Sequence, residues 1–495
     1  MSIRDHLRAI FDGREELDLT SGSIARPLLY LSVPIVITNL LQTAYNLADT
    51  FWLGQYSTNA LAAITFAFPM VFLLIALALG LSVAGSVLVA QHTGAGEDRK
   101  AEYAASQTIG FTVVVSLVLG GIGFFLVEDF LRVLGAAPEV VPLATRYMQV
   151  YCYGLLSVFG FAVFISLMRG YGDTVTPMLV MFGSVVLNIA LDPILIFGFE
   201  NNPLFGYLGL RGLESTLFAL TGYAGSGIAG ASIATVFSRS LAFLVGLAIL
   251  FQGTRGVRIR VRDLVPERRY ARRLVDIGLP ASIEGTGRAL SVNLLLFIIA
   301  AFPTTVVAAY GIGTRVFSVI FLPAIAFSQG VETMTGQNIG AKEPDRAARA
   351  NDYGAKVMLV TLTALGVLIF LGAGPISAVF TDDPAVVDAS AEFLRVVAPT
   401  FGFIGVMRSY SGGFRGAGKT LIAAGVSIAM LAGIRLPLAW VATGWLGEFG
   451  LWVAFAVSNV AGGLLAYLWF RRGTWRDVDL TSRSPGPRAD PAGDD

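Results

Sequence analysis

The sequence predicts an all-α integral membrane protein, twelve transmembrane helices arranged as two pseudo-symmetric six-helix bundles, and three observations carry that prediction. Of its 495 residues 55% are hydrophobic and only 14% charged, with a mean hydropathy of +0.70. A soluble globular chain carries about 25% charged residues, so this one lacks the polar surface to stay in water. Apolar runs long enough for a bilayer, which needs about 20 residues per helix, recur along the whole chain. Three short motifs then repeat at one constant offset of 246 residues. This balance excludes cytosolic enzymes, nucleic-acid binders and disulfide scaffolds. The net charge of +1 carries no strong field, and the single cysteine, Cys152, forms no internal disulfide.

The apolar runs lie near 27–54, 61–90, 103–127, 142–168, 174–198, 225–252, 274–301, 304–335, 352–380, 391–414, 418–444 and 449–470. They group into an N-lobe (27–252) and a C-lobe (274–471), preceded by a segment 1–26, joined by a loop 253–273 and followed by a tail 472–495. An even number of spans puts both ends on one side, and basic residues in short loops resist translocation. Arg4, Arg8, Arg14 and Arg26 precede span 1 and eight arginines fill 253–273, whereas the opposite loops hold only Arg132 and Arg211. Both termini are therefore expected in the cytoplasm of a multi-pass plasma-membrane protein. Residues 1–26 are polar and the first apolar run is long enough to span, so no cleavable signal peptide is expected. Ser2–Asp18 reads as a surface helix along the inner face, and the Ser-Pro-Gly-Arg-Asp composition beyond Trp475 reads as a disordered tail.

The repeat is visible at three places. Leu-Ser-Val-Pro at 31–34 answers Ile-Gly-Leu-Pro at 277–280, QHTGA at 91–95 answers QNIGA at 337–341, and RGYGDT at 169–174 answers RGAGKT at 415–420. Six spans per half make the halves parallel, related by an axis along the membrane normal, an arrangement of transporters whose substrate site lies between repeats.

Chemistry is best sought where one half holds a charge that its mate lacks. Span 1 carries Gln42, Tyr45 and Asp49 on one helical face, and their mates are Arg288, Ser291 and Leu295. Span 5 carries Asn188 and Asp192 one turn apart, whereas span 11 has Leu436 before its proline. With Thr235 of span 6, these groups should share a height in the outer half of one lobe. An aspartate there costs about 2.5–3.5 kcal/mol if it faces lipid, so it should face a cavity or partners. Two such carboxylates close together can hold one proton between them. With an Asn amide and a Thr hydroxyl they equally form an all-oxygen cage for a hard cation such as sodium. The plain alternatives are that Asp49 tethers an outer loop and that Asp192 satisfies backbone freed by Pro193. Pro34 removes a hydrogen bond to the Tyr30 carbonyl and should kink span 1, and its mate Pro280 argues that the kink is architectural.

The Pro34, Gln42-x-x-Tyr45-x-x-x-Asp49 face, QNIGA at 337–341 and RGYGDTVTP at 169–177 resemble the multidrug and toxic compound extrusion (MATE) family, closest to its DNA-damage-inducible-F-like prokaryotic branch. The resemblance covers roughly residues 20–472. It implies a V-shaped pair of six-helix bundles that exports organic cations in exchange for protons or sodium. In that branch the coupling site matches Asp49, Asn188, Asp192 and Thr235 here, with Gln42 and Tyr45 as cavity residues and Pro34 as the point where span 1 bends. Other branches place acids in the C-lobe; here Glu284 and Arg288, one turn apart on span 7, are expected to neutralise each other, which leaves Glu284 a lesser candidate for coupling.

Two motifs are decoys. Gly413-Phe-Arg-Gly-Ala-Gly-Lys419-Thr420 matches a phosphate-binding loop, but that motif works between a strand and a helix, and here it joins two spans. His92 lacks a second His or Cys nearby and reads as a loop residue rather than a metal ligand. Arg239, Arg315, Arg408 and Arg435 lie within spans and must face a cavity, a carboxylate or an interface. The resulting expectation is a monomeric secondary active antiporter, without a cofactor, nucleotide or nucleic acid, that expels lipophilic or cationic organic compounds in exchange for H+ or Na+. The nearest rival is a flippase or exporter of a lipid-linked precursor, which would need an arginine-lined central cavity. A membrane-embedded enzyme is disfavoured, since His6 and His92 are the only histidines.

Overall fold

The computed structural model describes residues 18–476 and 480–481, all of them helix or connection with no strand among them. Twelve spans follow in order: α1 (Ala25–Tyr56), α2 (Thr58–Gly94), α3 (Asp98–Val133), α4 (Val141–Tyr153 and Leu155–Tyr171), α5 (Val175–Phe197) and α6 (Ile228–Gln252) form the N-lobe. The C-lobe holds α7 (Arg268–Ile299), α8 (Thr304–Gly340), α9 (Pro344–Leu371), α10 (Pro384–Gly416), α11 (Thr420–Leu446) and α12 (Glu448–Arg471). The repeat extends to helix ends: α1 and α7 are both 32 residues long, α2 and α8 both 37. At about 1.5 Å per residue α2 and α8 exceed the roughly 30 Å hydrocarbon core, so they project beyond it. Gly227 and Gly447 precede α6 and α12 in the same conformation, φ +57° and +59°, which only glycine adopts without strain. They set the register of those mates at an offset of 220, shorter than 246 because the N-lobe alone carries the helices Pro203–Tyr207 and Arg211–Thr221 in its α5–α6 connection.

Two expectations are corrected. Span 4 is not one helix but two, bent by 55° at Gly154. A Cβ there would overlap the Val236 side chain of α6, so close packing fixes the glycine at the break. The tail is packed where it is described: Trp475 is buried, stacks on Phe470 at 4.4 Å and donates its indole N–H to the Phe470 carbonyl. Leu480 donates its backbone N–H to Gln91 Oε1, and Arg273 donates to its carbonyl. An indole that can bury its rings and satisfy its N–H gains more than the composition of its neighbours costs. The surface helix expected at Ser2–Asp18 and the rest of the tail lie outside the described residues, apart from Asp18 itself.

The lobes meet at the end that carries the termini. Gln91 in the first QxxGA motif donates to the Gly416 carbonyl of the second RGxGxT motif, and Gln337 in the second QxxGA donates to the Gly170 and Tyr171 carbonyls of the first. The repeated motifs are thus two halves of one reciprocal latch. Glycines permit the approach, since a Cβ on Gly94 would strike the Gln337 backbone and one on Gly340 the Gln91 backbone. Higher up, Gly80 of α2 crosses Gly278 of α7 backbone to backbone. Arg346 of α9 donates to the Ser21, Gly22 and Ser23 carbonyls and so ties the entry of α1 to the C-lobe.

Candidate functional site

Within the N-lobe, α1 presents Gln42, Tyr45 and Asp49 on one face, and α5 presents Asn188 and Asp192 from the next helix. Asp49 is 5% exposed, and Asn188 and Asp192 are fully buried. Asn188 Nδ2 donates to Asp192 Oδ1 at 3.1 Å, and the two carboxyl groups lie within hydrogen-bond reach of each other. Asp49 Oδ1, Asn188 Oδ1 and Asp192 Oδ2 are buried without a donor of their own. Thr235 of α6 joins this group through Tyr45, whose hydroxyl donates to Thr235 Oγ1. Arg239, one turn further along α6, does not pair with either aspartate. It donates to Gln42 Oε1 at 2.5 Å and lies over the Tyr45 and Phe161 rings.

A cavity of about 300 Å³ reaches this group and is lined by Gln42, Tyr45, Asp49, Thr235 and Arg239 together with aromatic side chains. Sequence reasoning named the first four as site residues and expected Arg239 to face a cavity, a carboxylate or an interface. It missed Tyr147 and Tyr151, which the first half of α4 brings in beside Phe161, because the bend at Gly154 that aims them carries no period in the sequence. Two ionised acids in one buried pocket without a cationic partner would repel each other, and a single proton or monovalent cation among the three free oxygens would relieve that repulsion.

Pro34 lies inside α1, which continues as helix on both sides of it. The Tyr30 carbonyl that it frees receives the Thr174 hydroxyl from the RGYGDT motif. The expected Glu284–Arg288 neutralisation is not what forms. Glu284 instead pairs with Arg415 of α10 at 3.2 Å and lies 3.9 Å from Arg408, long side chains that reach it from another helix of the C-lobe. Arg415 also reaches Glu332 of α8 at 3.0 Å and Ser328 at 2.7 Å. Arg435 donates to Ser458 and Asn459 of α12 and lies over Phe455, whereas Arg315 is exposed. His92 closes α2 with its Nδ1 on Glu97 at 2.8 Å. In the phosphate-loop look-alike, Gly413–Gly416 continue α10, so their amides are committed to the helix rather than converging on a ligand.

Two matched lobes around a shared cleft, with a charged pocket buried in one of them, define a membrane transporter rather than an enzyme. The family model described as MatE matches residues 34–194 and again 280–441, one match per lobe. The chain belongs to the MatE family of transporters. It is 27% identical over 467 residues to the probable multidrug resistance protein YpnP of Bacillus subtilis, covering 94% of this chain and 98% of that one. It is 28% identical to the FAD transporter of Shewanella oneidensis, covering 91% and 95%. A crystal structure of MATE in the bent conformation superposes with a TM-score of 0.83 at 24% identity, covering 95% of this chain and all of that one.

Proposed function

We propose that this chain is a secondary exchanger of the plasma membrane, with its termini in the cytoplasm, that exports organic compounds as a monomer in exchange for a proton or sodium ion taken up at Asp49 and Asp192. The observation that carries the reading is the set of three buried oxygens without donors, on Asp49, Asn188 and Asp192, beside a cavity lined by Gln42 and Tyr45. Thr235 supports the site by holding Tyr45 in place, and Pro34 is the place where α1 yields when the site fills. Ion and cargo prefer different conformations, so each shifts the population that the other binds, and exchange follows from linkage. The reciprocal glutamine latch joins the lobes at the end that carries the termini, which on this reading is the cytoplasmic end.

The aromatic walls of the N-lobe cavity suit the lipophilic cations expected from the sequence. A second reading is favoured by the arginines in the cleft and by the relative named for FAD: cargo that carries an anionic group, a lipid-linked precursor among the candidates. The test is export of a fluorescent dye from proteoliposomes under a proton gradient and, separately, a sodium gradient. Asp49→Asn and Asp192→Asn should each abolish export under whichever gradient drives the wild type. Full export by both variants would remove the site.

A further inference from the structure

Resting on that reading of the chain as an exporter, the cleft also assigns a chemical class to the cargo. A cavity of about 230 Å³ lies between the lobes, and its charged lining comprises four arginines and two glutamates: Arg169 of α4, Arg288 of α7, Arg408 and Arg415 of α10, Glu284 and Glu332. Both glutamates are engaged by one arginine, Arg415, at 3.2 and 3.0 Å. Arg288 makes no hydrogen bond or ion pair with a described residue, and Arg408 reaches Glu284 only at 3.9 Å while its buried Nε has no acceptor. Arg169 has a Ser166 hydroxyl at 3.2 Å and likewise a buried Nε without an acceptor.

A guanidinium has five donors, no acceptor and no accessible neutral form, so three of them around one cavity call for an anion with several oxygens. We propose that the cleft binds cargo by an anionic group, a phosphate or carboxylate, held between Arg169 of the N-lobe and Arg288 and Arg408 of the C-lobe. Arg415 is the positioning residue, since it occupies Glu284 and Glu332 at short range and thereby leaves Arg408, which lies over the Phe321 ring, with only a 3.9 Å approach to Glu284, and Arg169 and Arg288 with no carboxylate in contact. The apolar body of the cargo points toward the N-lobe. A neighbouring cavity shares Arg169 and Ser82 with this one and Gln42 with the aromatic pocket, so the three spaces adjoin in series from the arginines to Asp49. Charge-assisted bidentate bonds from both lobes would draw the lobes onto the cargo.

Binding is tested with two flavins that differ by one phosphate, riboflavin and riboflavin 5′-phosphate, on the full chain in phosphatidylcholine nanodiscs, read by flavin fluorescence. No gradient is used, so failure here is separate from failure of the exchange reading. The phosphorylated flavin should bind about tenfold or more tighter, the scale of one charge-assisted pair. That ratio should collapse toward one in Arg288→Gln and in Arg408→Gln, persist partly in Arg288→Lys, and survive Arg476→Gln, an arginine on the exposed Asp345 pair. Dihexanoyl phosphatidylglycerol set against dihexanoyl phosphatidylcholine as competitors distinguishes a lipid headgroup from a soluble anion. Preferential displacement by the glycerol lipid supports the site with a lipid as its source, and phosphate preference without it supports a soluble one. Equal binding of both flavins together with equal competition by both lipids would overturn the proposal.

Discussion

In the N-lobe, α5 carries Asn188 and Asp192 and α6 carries Ser238 and Arg239. In the C-lobe, α11 carries Arg435 and α12 carries Ser458 and Asn459 at the positions of Ser238 and Arg239. The charge has changed helix between the mates. Arg239 reaches out of its own helix pair to Gln42 and leaves the acids alone, whereas Arg435 is satisfied by Ser458 and Asn459 and lies over Phe455. The mates of Gln42 and Asp49 are Arg288 and Leu295, so the same face of the first helix carries an acid in one lobe and a cation in the other. In α11 a seven-residue π-helical stretch, Ala429–Arg435, ends at that arginine and shifts its register, a device absent from α5. Duplication supplied a common frame, and opposite charges in its two copies leave room for two ligands of opposite sign.

That contrast can be broken at several points. The largest effect belongs to Asp49→Asn and Asp192→Asn, each expected to lower gradient-driven export about a hundredfold, the upper part of ordinary coupling energies. Transplanting the Asp49 carboxylate to its mate position in the C-lobe as Leu295→Asp should not restore it, because Leu436 stands there in the place of the second acid, Asp192. Arg415→Leu should destabilise the C-lobe by about 3–5 kcal/mol, since it strands Glu284 and Glu332 in a buried position. Its measurement is thermal unfolding in detergent, where the same change at the exposed Arg132 should be nearly silent.

Smaller effects test the latch. Gln337→Ala removes two cross-lobe hydrogen bonds and Gln91→Ala one, each worth about 1 kcal/mol. Both should raise the accessibility of the termini-side end to a thiol reagent at an introduced cysteine, Gln337→Ala more than Gln91→Ala. The smallest concerns Glu97, between α2 and α3. Burial alone would raise its carboxyl, but the Lys100 ammonium and the His92 ring outweigh it and hold it below the usual range. Its stabilisation is present above the ordinary carboxylate range and lost as pH falls through the depressed value. Glu97→Gln should therefore unfold slightly earlier than wild type at neutral pH, and the gap should close in acid.

The two lobes also differ in how well they could be read from sequence. The Asp49 and Asp192 faces were legible because an acid in an apolar run is costly and each stands at helical spacing from a polar neighbour. Glu284 was read toward Arg288, four residues away, but its partner Arg415 is supplied by packing of α10, which no local spacing encodes. The QxxGA and RGxGxT repeats were visible as letters. Their meaning, that each lobe's glutamine bonds the other lobe's glycine carbonyl, required the two-fold arrangement. Trp475 was lost in a polar tail because a single aromatic barely alters composition, although its burial against Phe470 pins the segment.

The central claim is that the N-lobe acids hold the exchanged ion, and the most direct measurement is ion release when cargo binds. Purified wild-type protein at low buffer strength, given dye in the presence of a pH indicator or radiolabelled sodium, should release close to one ion per bound molecule, and the Asp49→Asn/Asp192→Asn double variant should bind dye without release. Equal release by the double variant, or dye binding by the wild type with no release of either ion, would contradict the account.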